Sequence, residues 1–228
     1  MNMIKPSPSS LRCLSIVCAF VLGLLTACSD RETPKAGLST AENRGPNPSS
    51  TTQCFYAVGE MNKKDAELFA ASEAGDLVRV NQSIDDGGNV NAIDPLKRTP
   101  LFASAFCNHP EVTSLLIAKG SDVNAKDFLG MSPLHAAVVV GWDEETKLLL
   151  LKGANINLQD ADGHTPLHIA AATDQMSMVD LLLERGVNAQ VRDKHGITAA
   201  RSASNNGHKA IAEKIKSAIG KQRLSNAK

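Results

Sequence analysis

The sequence contains few aromatic residues and carries no net charge. Phenylalanine, tryptophan and tyrosine together make up 4% of its 228 residues, with a single Trp and a single Tyr. Its 24 basic residues balance 24 acidic ones, which leaves no electrostatic reason to expect a nucleic-acid partner. The 43% apolar content is typical of a globular chain. Because alanine and leucine are common and aromatic residues are rare, the composition favours small, closely packed helices.

Motifs that carry chemistry are also missing. The sequence has no glycine-rich phosphate loop, no His-Glu-x-x-His, no Cys-x-x-Cys and no Gly-x-Ser-x-Gly. His164 and His195 are expected on neighbouring loops, but no cysteine or carboxylate completes a recognisable metal-ligand set around them. The carboxylate runs 85–86 and 143–145 fall at predicted helix ends, where a solvated face is expected. We therefore predict no enzymatic activity, no cofactor and no metal site.

The first 28 residues combine a weakly basic start with an apolar run of about a dozen residues. Such a run suits a secretory signal and is too short to span a bilayer comfortably. It ends in Leu25-Thr26-Ala27-Cys28, which resembles the lipobox of bacterial lipoproteins. The resemblance implies that residues 1–27 are removed and that Cys28 is acylated, which holds the protein at a membrane. An ordinary cleaved signal and an uncleaved anchor helix are the alternatives.

Residues 28–62 are predicted to form a disordered tether. They are rich in Ser, Thr, Pro, Asn and Gly, and they hold too little apolar surface to offset the entropy of ordering. Residues 54–58 (Cys-Phe-Tyr-Ala-Val) form a small apolar cluster that is expected to pack on the domain that follows. Ser29, rather than Asp, follows Cys28, and in Gram-negative families this resembles an address for the outer membrane, facing the periplasm.

A period of 33 residues organises the rest of the chain. It relates the stretches Thr99-Pro100-Leu101, Ser132-Pro133-Leu134, Thr165-Pro166-Leu167 and Thr198-Ala199-Ala200. Three further ladders keep the same step: Asp94, Asp127, Asp160 and Asp193; Gly87, Gly120, Gly153 and Gly186; and Gly75, Asn108, Gly141, Asp174 and Gly207. A fixed period of this length is the signature of stacked structural repeats.

Each 33-residue unit is predicted to form a pair of helices. A Thr or Ser caps the first helix, and a Pro follows at the first helical position, where no N–H is needed. First helices are predicted over residues 101–107, 134–140 and 167–173, each followed by a turn and a second helix with apolar residues at helical spacing. A glycine then ends the second helix in a left-handed conformation.

Two stretches resemble the ankyrin-repeat consensus. Residues 162–171 (Asp-Gly-His-Thr-Pro-Leu-His-Ile-Ala-Ala) match its first half, and residues 148–157 match its second half. The resemblance covers residues 63–222 and leaves 223–228 as a tail. It implies an all-α solenoid of helix-turn-helix units joined by β-hairpin-like loops, with about five repeats. The first and last repeats are degenerate caps, and the last has the polar outer helix that a cap needs.

Some positions depart from the consensus. Lys97 takes the place of the glycine at a hairpin tip, which leaves the turn geometry of that hairpin open. Asn108 and Asp174 replace the glycine between helices, and both residue types tolerate a left-handed backbone. His135 and His168 hold the Thr-Pro-Leu-His position of the family, where the resemblance implies a structural role for the imidazole.

The resemblance also implies a protein partner, bound by the hairpin tips and by the exposed side of the first helices on a concave face. Carried onto this sequence, the partner-binding positions are Leu96, Arg98, Phe106, Phe128, Leu129, Met131, Val139, Val140, His164 and His195. The apolar members are expected to form an exposed patch, with Arg98 and His164 at its rim. The alternative is that some of them turn inward between repeats.

Two cysteines remain once Cys13 and Cys18 leave with the signal and Cys28 is acylated. Outside the cytoplasm, Cys54 and Cys107 form a possible disulfide that would fasten the tether to the solenoid. The alternative is two separate small apolar residues.

Together these patterns predict a lipid-anchored, extracytoplasmic module that binds another protein, touches the membrane only through its anchor and has no nucleic-acid partner. One version is an immunity or inhibitor protein that masks a periplasmic toxin. The alternatives are a scaffold or protector of a periplasmic enzyme, and a structural envelope protein that acts through its tether alone.

Overall fold

The computed structural model of the chain describes residues 61–226, with side chains described up to residue 220. The predicted signal, the acylation of Cys28, nearly all of the tether and Cys54 therefore lie outside the described residues. The first described helix begins at Lys63, directly after its N-cap residue Asn62. The last described helix runs to Asn226, past the predicted boundary at residue 222. Over residues 61–226, every helix is too short or too polar to cross a membrane.

The described residues form ten helices arranged in five pairs. The first helices are α1 (Lys63–Ala74), α3 (Pro100–Phe106), α5 (Pro133–Val140), α7 (Pro166–Ala172) and α9 (Ala199–Asn205). The second helices are α2 (Leu77–Asp85), α4 (Pro110–Ala118), α6 (Asp143–Leu151), α8 (Met176–Glu184) and α10 (Lys209–Asn226). In this part of the chain, β pairing is limited to an isolated bridge between Arg192 and Thr198. The predicted all-α solenoid is confirmed.

Hydroxyl side chains and prolines start the first helices at the predicted positions. The Thr99 hydroxyl accepts a hydrogen bond from the N–H of Phe102 at 3.2 Å. Ser132 caps α5 in the same way, and its own N–H donates to Nδ1 of His135 at 3.2 Å. Prolines occupy the first turn of α3, α5 and α7, where the backbone has no hydrogen-bond partner to lose. Each such cap contributes about 1 kcal/mol to stability.

The core lies between neighbouring helix pairs. The first helices pack on one another in chain order, and the second helices pack beside them. The 33-residue step brings a leucine of each of the first four first helices into the core, with exposed fractions of 0–1%: Leu68, Leu101, Leu134 and Leu167. The second helices contribute Leu116, Leu149, Leu182 and Ile215, all at 0%. Because burying one such side chain contributes about 1.5–3 kcal/mol, these ladders hold the stack together without large aromatic rings.

The turns between paired helices keep one backbone geometry despite their different residues. Asn108 and Asp174 adopt φ angles of 59° and 61°, close to the 70° of Gly75. The replacement of glycine by Asn or Asp is therefore tolerated as predicted. The four glycines after the second helices are also left-handed, with φ angles of 78–95°.

Glu145 is a charged residue inside the core. The sequence predicts a solvated face for residues 143–145, and this is wrong for Glu145, whose exposed fraction is 0%. The physical reason is its register. Glu145 is the third residue of α6, and the 33-residue step places it in a column with Val112, Met178 and Ile211, which are all buried.

The Glu145 carboxyl group has no hydrogen-bond partner for either oxygen within the described part of the chain. Burial raises its pKa to about 7. The nearby Thr113 hydroxyl lowers the pKa, and the negative charge of Glu111 raises it further. The Ser104 hydroxyl donates its proton to the carbonyl of Leu101 at 3.0 Å, so the Thr113 hydroxyl donates its own proton to Ser104 at 2.8 Å and has none left for the carboxyl group.

Candidate partner-binding surface

Four hairpins connect successive helix pairs, and each is built around the aspartate of the 33-residue ladder. In the second hairpin, Asp127 Oδ1 accepts hydrogen bonds from the N–H groups of Leu129 (2.9 Å) and Met131 (2.8 Å). The equivalent carboxylates accept the equivalent pairs in the other hairpins: Asp94, Asp160 and Asp193. The aspartate ladder is therefore a structural device that shapes the tips.

The hairpins are also bonded to one another in a row. The N–H of Phe128 donates to the carbonyl of Leu96 at 2.9 Å. One and two steps later, the same bond joins Ala161 to Leu129 (2.8 Å) and Lys194 to Asp162 (3.0 Å). In the first hairpin the donor position is Pro95, which has no N–H, so the row begins there. These bonds fix the spacing of the tips.

Lys97 takes the conformation of the glycine it replaces. Its φ angle is 57°, and the equivalent glycines Gly130, Gly163 and Gly196 have φ angles of 73–84°. The geometry of the first tip, which the sequence left open, therefore matches the others. A left-handed backbone costs a residue with a Cβ atom about 1–2 kcal/mol, which the surrounding hairpin bonds offset.

The first two hairpin tips carry the large exposed apolar side chains of the row. Phe128 is 49% exposed and Leu96 is 39% exposed, and their backbones are joined directly. Leu129 and Met131 of the second hairpin are half-buried, and so is Val140 at the end of α5. Ile93 is 57% exposed on the first hairpin, and it was missed in the sequence. The signal was available, because the residues one, two and three steps later are polar: Lys126, Gln159 and Arg192.

Three predicted surface residues are buried, which corrects the prediction for them. Arg98 is not at a rim, because Asp94 Oδ2 accepts from its Nε (2.8 Å) and Nη2 (2.7 Å), and its guanidinium lies 5.7 Å from the ring centroid of Phe69. Phe106 and Val139 are only 6% and 8% exposed. They lie in α3 and α5, which pack against neighbouring first helices on both sides, so their side chains turn inward.

The repeating helix pairs match a known protein family. The family model described as ankyrin repeats (3 copies) matches residues 68–160 and 139–222, which together span more than half of the chain. The chain belongs to the ankyrin-repeat family. Ankyrin repeat-containing protein YIL001W of Saccharomyces cerevisiae is 36% identical over 59 residues, 26% of this chain. The matched segment covers 12% of the yeast protein's length, so the similarity concerns the repeats and not the whole protein.

The last two hairpin tips form the polar end of the row of hairpins. His195 is exposed, and His164 is half-buried. His164 Nδ1 lies 3.3 Å from Asp160 Oδ2, and its Nε2 lies 3.7 Å from Asp193 Oδ2. The bond to Asp160 raises the pKa of His164, against the effect of burial. His164 thus links two hairpins electrostatically, and the described residues hold no group of three or more His, Cys, Asp or Glu placed to bind a metal.

The two consensus histidines of the ankyrin repeats are buried inside the stack. His135 Nε2 lies 3.2 Å from the carbonyl of His164, and His168 Nε2 lies 3.1 Å from the carbonyl of Ile197. Each therefore joins one repeat to the next, which confirms the structural role. Burial lowers the pKa of both, for His135 to about 4.

Two further residues lie in the turns between paired helices. The indole N–H of Trp142 donates to the carbonyl of Phe106 at 2.9 Å, so Trp142 joins the turn of its repeat to the preceding one. Cys107 is half-buried at the C-cap of α3. Its predicted bridge to Cys54 stays a prediction, because Cys54 lies outside the described residues.

Proposed function

We propose that this chain is a lipid-anchored, extracytoplasmic binding module that holds a partner protein on the concave side of its ankyrin solenoid. Ankyrin repeats are protein–protein interaction modules, and this supports binding as the activity. The observation that carries the site is the pair of adjacent exposed side chains, Leu96 and Phe128, on bonded hairpin tips. Exposed apolar neighbours of this kind mark interaction sites.

The test of this site is partner capture from a membrane extract. The tagged full-length protein is compared with a Leu96→Asp/Phe128→Asp variant, and Leu151→Asp is the matched control. Leu151 is 79% exposed, and it is the last residue of the second helix α6 and not part of a hairpin tip. Two lost apolar anchors at about 1–2 kcal/mol each reduce recovery of the partner at least about tenfold, and the control retains it. Equal recovery by all three proteins would contradict the proposed site.

The anchor is supported by the Leu-Thr-Ala-Cys stretch ending at Cys28, and it is tested separately. In the native host, the native chain is expected to incorporate labelled palmitate and Cys28→Ser is expected to lose that label, because Cys28 is the acylated residue. Cys54→Ser is the matched control and should keep the label. A native chain without label, or a Cys28→Ser variant that keeps it, would contradict the acylated anchor.

The role that fits a module without chemistry of its own is inhibition by covering its partner, as an immunity protein covers a periplasmic toxin. The captured partner decides this point. Its activity, measured with and without the ankyrin protein, falls on binding if the role is inhibition. Unchanged or improved activity favours a scaffold or protector of a periplasmic enzyme.

A further inference from the structure

The four hairpins differ in what they offer to the second oxygen of their aspartate. In the first, the Arg98 guanidinium bonds Asp94 Oδ2 through two nitrogens, at 2.7 and 2.8 Å. In the third, Asp160 Oδ2 lies 3.3 Å from an imidazole nitrogen of His164, and the other nitrogen of that ring lies 3.7 Å from Asp193 Oδ2 of the fourth hairpin. A basic side chain therefore stands beside the carboxylate in three of the four hairpins.

Asp127, in the second hairpin, is the exception. The residue four positions later is Met131, where the first and third hairpins have Arg98 and His164. Asp127 Oδ2 has no hydrogen-bond partner within the described residues, although Asp127 is only 5% exposed. Burial raises the pKa of Asp127, despite the bonds that its other oxygen accepts and the positive charge of Arg98 in the preceding hairpin, which bonds Asp94 and not Asp127. A buried polar atom without a partner is rare in native proteins and calls for an explanation.

The surroundings of Arg98 recur one repeat later without the guanidinium. Arg98 lies over the ring of Phe69 while it bonds Asp94. One repeat later, at a step of 33 residues, Met131 corresponds to Arg98, Phe102 to Phe69 and Asp127 to Asp94. Phe102 is an aromatic ring again, 2% exposed, so ring and carboxylate are both present. Met131 is half-buried, and its unbranched thioether side chain repacks easily.

We propose that the Met131 side chain covers a recognition site for an arginine of the partner protein. The arginine displaces the Met131 thioether, and its guanidinium bonds Asp127 Oδ2 as the guanidinium of Arg98 bonds Asp94 Oδ2. An apolar residue of the partner next to that arginine packs on Phe128, which is exposed on the same tip, and on Leu96, which is exposed on the preceding tip. A guanidinium suits the place because it is planar, stacks on rings and is weakly hydrated. The inference rests on the proposed function, because it names the chemistry of the partner at that surface.

The first test uses defined peptides and the full chain. The probes are acetyl-Leu-Arg-Leu-amide and the same peptide with citrulline, which keeps the shape of arginine and lacks its charge. The readout is the carboxyl ¹³C resonance of Asp127. We expect the arginine peptide to shift this resonance with at least about fivefold higher affinity than the citrulline peptide, as a charge-assisted bond requires. Equal responses to both peptides, or none at about 10 mM, overturn the inference, since an open site would give at least weak binding at that concentration.

Two variants make the result specific. Met131→Arg supplies the guanidinium from the chain itself, so it should abolish the response to the arginine peptide, whereas Met131→Leu keeps the volume and should respond as the native chain does. If Met131→Arg folds poorly, Asp127→Asn serves instead. Its amide oxygen can still accept the hairpin N–H bonds, and the preference for arginine over citrulline, followed in this variant at the methyl ¹³C resonance of Met131, should disappear. A preference for arginine that persists in Met131→Arg or in Asp127→Asn overturns the site.

The capture experiment distinguishes failure of the arginine site from failure of the proposed binding function. A partner that is lost by Leu96→Asp/Phe128→Asp but captured equally by the native chain, Met131→Leu and Met131→Arg binds the surface without using Asp127. That outcome overturns the arginine site and leaves the binding function in place. Partner loss in Met131→Arg alone, with Met131→Leu unaffected, supports the site.

Discussion

Replacing Glu145 by glutamine is expected to stabilise the solenoid at pH 8 by about 2–3 kcal/mol and to change its stability little at pH 4.5. The reason is the column in which Glu145 lies, between the buried positions of Val112 and Met178. A carboxylate there leaves water without gaining a partner, which costs several kcal/mol if it stays charged. The folded chain therefore keeps this proton up to about pH 7, and at pH 8 it carries the cost of the buried charge.

The direction of the pH dependence follows from the two pKa values of Glu145. The unfolded chain releases the proton near the ordinary value of 4.5, and the folded chain holds it until about pH 7. Between these values the folded state binds more protons, so stability falls as pH rises and is lowest above pH 7. At about 1.4 kcal/mol per pKa unit, the difference is of the order of 3 kcal/mol. Below pH 4.5 both states are protonated and the penalty vanishes.

Urea unfolding of the purified protein at pH 4.5 and pH 8 measures the effect. Glu144→Gln is the matched control, because Glu144 is the exposed neighbour in the same helical turn and pairs with Lys147 at the surface. Its change should stay within about 0.5 kcal/mol. Glu145→Met copies Met178 and should gain at least as much as glutamine at pH 8. A gain from Glu145→Gln that is the same at pH 4.5 and pH 8, or that is absent at pH 8, would contradict the buried acid.

The fold could be predicted because its signals are local. The caps at Thr99 and Ser132, the prolines after them and the left-handed positions each specify the backbone at one place, and the 33-residue step repeats them. Even Asn108 and Asp174 could be judged from backbone preference alone. No long-range information was needed to recover the order of helices and turns.

The site was harder to predict because burial in a solenoid is set by neighbouring repeats. A helix of seven residues such as α3 contacts other helices on several sides, so no apolar stripe distinguishes inward Phe106 from outward positions. The resemblance places Arg98 at the rim by its position in the repeat, but the adjacent Asp94 draws it inward. Glu145 is misplaced by its charge. For Glu145, a comparison down the 33-residue column, which holds the buried Val112 and Met178, would have helped more than the residue type.

The second large effect concerns the contact between hairpin tips. Gly130→Ala is expected to destabilise the solenoid by about 3–4 kcal/mol, and Gly196→Ala by about 1 kcal/mol, since only the first also loses a packed backbone contact. The two glycines have nearly the same φ angle, 74° and 73°, so the conformational cost of a Cβ atom is matched. What differs is the space around them.

A Cβ atom on Gly130 would lie 2.6 Å from the backbone nitrogen of Ala161, whereas on Gly196 it would meet nothing within 4 Å. Backbone cannot move aside as a flexible side chain can, so the tips must separate. The bond from the Ala161 N–H to the carbonyl of Leu129, at 2.8 Å, is then stretched. Gly163 faces the nitrogen of Lys194 at 2.8 Å and should behave like Gly130.

Urea unfolding gives the stabilities, and hydrogen exchange of the Ala161 amide locates the change. Gly196 lies in the terminal repeat, where fraying hides part of a cost, so stability alone does not separate the two explanations. Exchange does, because Gly130→Ala exposes the Ala161 amide directly while Gly196→Ala leaves it protected. Equal protection of that amide in both variants would show that the tips do not depend on close backbone approach. The first tip is the internal comparison: Lys97 carries a Cβ atom at the equivalent position with a φ angle of 57°, against 74° for Gly130, and the N–H of Phe128 still bonds the carbonyl of Leu96 at 2.9 Å.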